Sequence, residues 1–209
     1  MRVIGLTGSI ACGKSTVSSQ LRARGVSVLD ADVIAREIVL PGSPALDELV
    51  GAFGESILAH DGTLDRAALG ALVFGSDARR LTLNAITHKR IWACATERIA
   101  ELQAHGEVLV VWEAALLIES GTADMFRPLI VVACSPEVQR ERLMKRDQST
   151  MPEAAARLSS QMSSAEKVKF ADYVIFNDGD FGAVLHQTDV VLGAACDQCG
   201  IPRSRFGLA

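Results

Sequence analysis

Apolar residues in this chain occur in two patterns. Short apolar runs at Val3–Leu6, Val26–Leu29, Val108–Trp112, Leu129–Cys134 and Tyr173–Phe176 are each bounded by turn-forming or charged residues. Unbroken rather than alternating hydrophobicity is what a strand covered on both faces shows, so these read as five parallel strands. Elsewhere the apolar positions follow the helical period. Val17 and Leu21 mark a helix over Lys14–Arg24, stopped by Gly25, and Leu46, Leu49, Val50 and Phe53 mark another after Pro41-Gly42-Ser43-Pro44. Leu69, Leu72 and Val73 mark a third. Residues Asp77–His105 form a long helix closed by Gly106, and Pro152–Lys169 a helical piece between the fourth and fifth strands.

The first strand, a glycine-rich turn, a helix and the second strand form one unit, which predicts parallel strands joined by a right-handed crossover. The expected fold is therefore α/β, a doubly wound five-stranded parallel sheet. A long stretch without strand character separates strands two and three. The sheet domain is thus expected at 1–35, 107–146 and 170–209, with a helical unit inserted at 36–106.

Composition narrows the class. Of 209 residues, 49% are hydrophobic and 22% charged, which favours a folded globular chain over disorder. A net charge of −4 argues against a general nucleic-acid binder. No apolar run approaches the roughly 18 residues that span a bilayer, and the amino-terminal stretch runs into a glycine loop rather than a cleavage site. A cytoplasmic protein, monomeric or a small homo-oligomer, is expected. The five cysteines are too scattered for a disulfide framework, and Cys196 and Cys199 lack a second ligand pair for zinc.

The sharpest signal is Gly8-Ser9-Ile10-Ala11-Cys12-Gly13-Lys14-Ser15, followed by Thr16, which meets every fixed position of G-x-x-x-x-G-K-[ST]. Glycines at both ends let successive N–H groups turn inward around an anion, and the helix that follows directs its positive end at the same point. Lys14 would reach the β- and γ-phosphates of ATP, and Ser15 would ligate Mg2+. The residue between, Ala11, carries a Cβ that resists positive φ. This is the nucleotide loop of a P-loop NTPase or nucleotide-kinase-like fold.

A kinase also needs an acceptor hydroxyl in line with the γ-phosphate. Asp30 and Asp32 end the second strand, and if the chain stays extended both carboxylates face one side. Asp32 is favoured as the proton acceptor; caps of a following helix are the other reading of the pair. Glu113 either holds magnesium through water or simply terminates its strand. Arg142, Lys145 and Arg146 share a helical face that either closes over the triphosphate or forms salt bridges in solvent. Arg36, Arg66, His88, Lys89 and Arg90 are candidates for meeting an anionic substrate.

Together these segments resemble the dephospho-CoA kinase family. The resemblance rests on Ile4-Gly5-Leu6-Thr7-Gly8, the phosphate loop, Asp30-Ala31-Asp32-Val33-Ile34-Ala35-Arg36 and Asp61-Gly62-Thr63-Leu64-Asp65-Arg66. It continues through Leu83–His88, Leu116-Leu117-Ile118-Glu119, Arg146-Asp147, Gln161 and Asn177. It implies transfer of a phosphoryl group from ATP to the ribose 3′-hydroxyl of dephospho-CoA, the last step of coenzyme A synthesis. It places Lys14, Asp32, Arg142 and Arg146 in catalysis and Asn177 near the ATP base. Thr7, Arg36, His88, Leu117 and Glu119 fall in or beside the acceptor pocket. The inserted helices become the CoA-binding domain and residues 147–169 a lid. Ser9, Ala11 and Cys12 depart from the family loop, which has glycine, glycine and serine there; Lys89 and the segment Glu113-Ala114-Ala115 depart as well.

Two other readings use the same loop: another small-molecule kinase with a nucleoside or nucleotide acceptor, and an ATP-binding switch that transfers nothing. The switch would need no acceptor-side carboxylate.

Overall fold

The computed structural model describes all residues, Met1–Ala209. Strands β1 (Arg2–Thr7), β2 (Ser27–Asp30), β3 (Leu109–Glu113), β4 (Leu129–Ala133) and β5 (Tyr173–Phe176) form one sheet in the order β2-β3-β1-β4-β5. The ladders of β1 with β3 and β4, and of β4 with β5, are parallel. All five positions of β3 and all five of β4 are buried, as the unbroken apolar runs predict. With β1 at the centre, the chain leaves toward β2 on one side and later returns to β4 on the other. The turn after β1 therefore lies where the connections diverge, the place at which open α/β sheets bind ligands.

Helix α1 (Lys14–Ala23) matches a periodic segment, whereas α2 (Ala31–Glu37) corresponds only to the alternative, capping reading of Asp30 and Asp32. Helices α3 (Pro44–Phe53), α4 (Arg66–Val73) and α5 (Asp77–Ala104) match the other periodic segments, and α6 (Pro136–Asp147) carries the basic face. The helical piece after β4 proves to be two helices, α7 (Met151–Ser159) and α8 (Ser164–Val168), each opened by a capping box at Thr150 and Ser163. A last helix, α9 (Phe181–Cys199), has no counterpart among the sequence expectations. Asp180 caps it by accepting from the amides of Gly182 and Ala183, and Gly200 ends it at φ 69°. It packs on α1, and Asp189 accepts from Gln20 at 2.7 Å and from Arg24. Cys196 and Cys199 lie in its last turn, their thiols pushed up by burial.

The chain divides into two compact units, Met1–Leu29 with His105–Ala209, and Asp30–Ala104. In the first, Ile4 and Leu6 of β1 pack with Val17 and Leu21 of α1 and with Val184 and Leu192 of α9. In the second, Val39, Ala45, Leu49, Ile57 and Leu69 form a core joined by Leu83 and Ile86 of α5. Ser43 caps α3 ahead of Pro44, and Asp65 caps α4. Arg98 and Arg90 of α5 pair with Glu37 and Glu48.

The extended conformation does not continue past Asp30, contrary to the period-two expectation. Asp30 Oδ1 accepts from the amides of Asp32 (2.8 Å) and Val33 (3.3 Å), so Asp30 is the cap of α2 and Asp32 sits in its first turn. A carboxylate that can satisfy two orphan helix donors favours turning over extending.

Candidate active site

The loop between β1 and α1 turns on two glycines for different reasons. A Cβ at Gly8 would come within 2.5 Å of the Val132 carbonyl and 2.6 Å of Cys12 Sγ. Gly13 is at φ 89°, and a Cβ there would lie 2.0 Å from Asn177 Nδ2. Ala11 adopts φ 60° despite its Cβ, so the loop holds a left-handed position at the expense of strain, of order 1–2 kcal/mol. Ala11→Gly is expected to raise the unfolding free energy by roughly 0.5–1 kcal/mol, less than the relieved strain because glycine also loosens the unfolded chain. Urea titration of the two proteins checks it.

The amides of Ala11, Gly13 and Ser15 are used by no loop or cap hydrogen bond. The first turn of any helix leaves its N–H groups without intrahelical partners, and here Gly13 at the cap has no side chain to take them. The result is an anion cradle at the amino end of α1, with Lys14 half-buried and Ser15 exposed. Cys12 is buried against Gly8, its thiol pushed up by burial, and the neighbouring Cys134 is pushed up to about 11 by the same cause. Both stay protonated at neutral pH and pack as small apolar groups.

Neighbouring segments brace the loop. Asn177 is buried at the end of β5; its amide donates to the Cys12 carbonyl at 3.0 Å, and its own carbonyl and Oδ1 accept from Arg142 at 2.8 and 3.2 Å. Gln139 donates to the Ile10 carbonyl at 2.6 Å, while Gln161 Oε1 accepts from the Ile10 amide at 3.0 Å. Ser9 donates to the Met162 carbonyl at 2.8 Å.

The basic face expected on α6 does not act as one group. Arg142 turns inward onto Asn177, whereas Arg146 pairs with Asp147 at 2.7 Å and Arg140 with Glu137 at 3.7 Å. Arg157 of α7 also pairs with Asp147, and the Arg146 guanidinium holds that carboxyl below its usual range. Glu113 is buried at the end of β3, where its Oε2 accepts from Ser18 of α1 at 2.5 Å. Thr7 donates to the Ala115 carbonyl at 3.2 Å, and Leu117 is buried. Glu119 is committed to Lys167 and to the Met162 amide.

In the second unit, Arg66, Asn84, Thr87 and His88 join apolar side chains such as Val39 and Leu64 around a cavity of about 310 Å³. Arg66 donates to the Ala35 carbonyl at 3.4 Å, and Asp32, Arg36 and His88 are exposed. Lys167 and Gln139, both in the bracing network, were not singled out from the sequence. A lysine amid the other charges of α8 looks like surface, and only burial distinguishes it.

A parallel sheet of this order with the phosphate loop after its central strand defines a P-loop kinase. A shikimate kinase from Acinetobacter baumannii shares the fold, at 15% identity and TM-score 0.51, over 95% of this chain and 94% of that one. The family model for dephospho-CoA kinase matches residues 2–182, and the chain belongs to that family. A dephospho-CoA kinase of Anaeromyxobacter dehalogenans is 46% identical over 92% of this chain and 91% of its own length. One of Geobacter sulfurreducens is 47% identical over 86% and 91%. Among solved structures, a Thermus thermophilus protein aligns with TM-score 0.80 at 34% identity, covering 92% of this chain and 97% of that one. The Campylobacter jejuni dephospho-CoA kinase aligns with TM-score 0.69 at 29% identity, covering 95% and 100%. No helix is long and apolar enough to cross a membrane.

Proposed function

We propose that this chain transfers the γ-phosphoryl group of ATP to the ribose 3′-hydroxyl of dephospho-CoA, forming coenzyme A and ADP in the cytoplasm. The observation that carries the reading is membership of the dephospho-CoA kinase family across residues 2–182, with the phosphate loop intact. The acceptor oxygen bonds to the γ-phosphorus as the bond to the β–γ bridging oxygen breaks. The acceptor proton passes to Asp32, and ADP leaves. Lys14 and the loop amides hold the phosphate oxygens, with Arg142 and Arg146 contributing positive charge as it develops on the bridging oxygen. Asn177 supports the nucleotide side by bracing Cys12. Arg36 and His88 meet the anionic acceptor, with Thr7, Leu117 and Glu119 shaping the floor beside it. The helical unit 36–106 receives the CoA moiety, and 147–169 acts as a lid that excludes water as a competing acceptor.

Magnesium fits this donor set. The ion usually takes one or two protein ligands and completes its shell with phosphates and water, so no cluster of acids is required. The exposed Ser15 hydroxyl at the amino end of α1 would hold it, with Glu113 one layer beneath on Ser18. When bound, it neutralises charge on the phosphates.

The test incubates the purified protein with MgATP and dephospho-CoA, following ADP and CoA by mass, beside nucleoside and nucleoside monophosphate acceptors. Equal amounts of ADP and CoA are expected, falling at least about 10²-fold in Lys14→Ala. Phosphorylation of another acceptor without CoA would overturn the substrate, and ATP binding with no transfer at all would indicate a switch protein.

A further inference from the structure

Lys167 has a side chain with no solvent exposure, which is unusual for an ammonium group in a segment otherwise rich in exposed polar residues. Burial pulls its pKa down, and the Glu119 carboxylate opposes that shift. A buried charge of this kind rarely adds stability over an apolar residue of the same volume, so packing alone does not account for it. Its contacts suggest another role. The ammonium donates to the Ala115 carbonyl at 2.6 Å and pairs with Glu119 at 2.9 Å. Glu119 Oε1 in turn accepts from the Met162 amide at 3.0 Å. The two charged groups thereby join the segment after β3 to the turn 161–163.

That turn touches the phosphate loop through two hydrogen bonds, Ser9 to the Met162 carbonyl and the Ile10 amide to Gln161. The Ala115 carbonyl that holds Lys167 also accepts from Thr7, the residue just before the loop. Ser9 and Ile10 belong to neither β1 nor α1. Their position therefore depends on partners contributed from elsewhere in the chain, and a loop that must present amides to phosphate tolerates little displacement.

We infer that Lys167 is a positioning residue for the nucleotide: paired with Glu119, it fixes the turn 161–163, and through Gln161 and Met162 it sets the conformation of the phosphate loop. Lys167 acts through these residues and does not itself touch the transferred group. The inference rests on the ATP reading of the loop, and the test separates the two.

Nucleotide affinity is measured by calorimetry with MgADP and MgATP, without acceptor, for the full-length wild type, Lys167→Met, Lys167→Arg and Gln161→Met. Steady-state KM values for ATP and dephospho-CoA are then measured for each. Lys167→Met is expected to weaken nucleotide binding about tenfold, or about 1.4 kcal/mol; because its partners Glu119 and the Ala115 carbonyl also border the proposed acceptor side, KM for dephospho-CoA rises as well. Lys167→Arg keeps the charge but must fit a larger guanidinium into a fully buried site, so it recovers only part of the affinity. Gln161→Met removes only the last link and leaves the buried pair in place, so it reports even if Lys167→Met fails to fold; a loss of about three- to tenfold, confined to nucleotide, is expected. Unchanged nucleotide affinity in a folded Lys167→Met or in Gln161→Met overturns the inference, as does a loss in Gln161→Met that is equal for both substrates. Failure of the wild type to bind MgATP would instead remove the functional reading on which it rests.

Discussion

Asp32→Asn lowers kcat for CoA formation by about 10²–10⁴-fold and leaves KM for ATP within about twofold, if the carboxylate takes the acceptor proton. The substitution keeps the shape of the side chain and removes only its capacity to accept a proton. The start of α2 survives it, because the cap is Asp30, which holds the amides of residues 32 and 33 whatever side chain stands at 32. Loss of a negative charge in the first turn costs about 0.3–1 kcal/mol, too little to unfold the unit. Asp30→Ala is the complementary control, since it removes the cap and costs about 1 kcal/mol of stability. Single-turnover and thermal-melt measurements on the two variants separate chemistry from folding. A fall of less than tenfold in Asp32→Asn would mean that the transition state is loose enough to need no base, and that the 30–32 pair serves the helix alone.

Gly13→Ala destroys nucleotide binding and lowers stability by about 3–5 kcal/mol. Two costs coincide there. An alanine at φ 89° is strained by about 1–3 kcal/mol. Its Cβ would also stand 2.0 Å from Asn177 Nδ2, forcing out an amide that holds the Cys12 carbonyl and is itself held by Arg142. Each buried group left without its partner costs about 1–3 kcal/mol. Gly106→Ala provides the comparison: φ is 83° but no atom lies within 4 Å of the added Cβ, so only the conformational strain applies. Denaturant melts with and without MgADP should show both variants destabilised, with ligand stabilisation lost in Gly13→Ala alone. Retained ligand stabilisation in Gly13→Ala would show that the loop accommodates the methyl group and that Asn177 is not its brace.

Much of this protein was legible because the signals were local. The runs at 108–112 and 129–134 could bury every residue only in a sheet covered on both faces, and the periodicity of 46–53 admitted only a helix. Glycine, lysine and serine at 8, 13, 14 and 15 carry their own geometric requirement, so the phosphate cradle was readable before any fold was known. Helix α9 was not, because Phe181–Cys199 mixes apolar and polar residues on a broad face whose meaning depends on α1. The 30–32 segment misled because alternation and capping compete for the same carboxylate, and the hydrogen bonds of Asp30 decided for the helix.

Tertiary structure alone determined what each charged group does. Arg142 and Arg146 are equivalent on a helical wheel, yet one reaches Asn177 across 35 residues of sequence and the other pairs with its neighbour Asp147. Lys167 and Lys169 look alike in sequence; the first has no exposure and pairs with a carboxylate 48 residues away, the second faces solvent. Local sequence sets the elements because their energies depend on near neighbours. The partners of a charge lie in segments distant along the chain, and only the folded sheet brings those segments together.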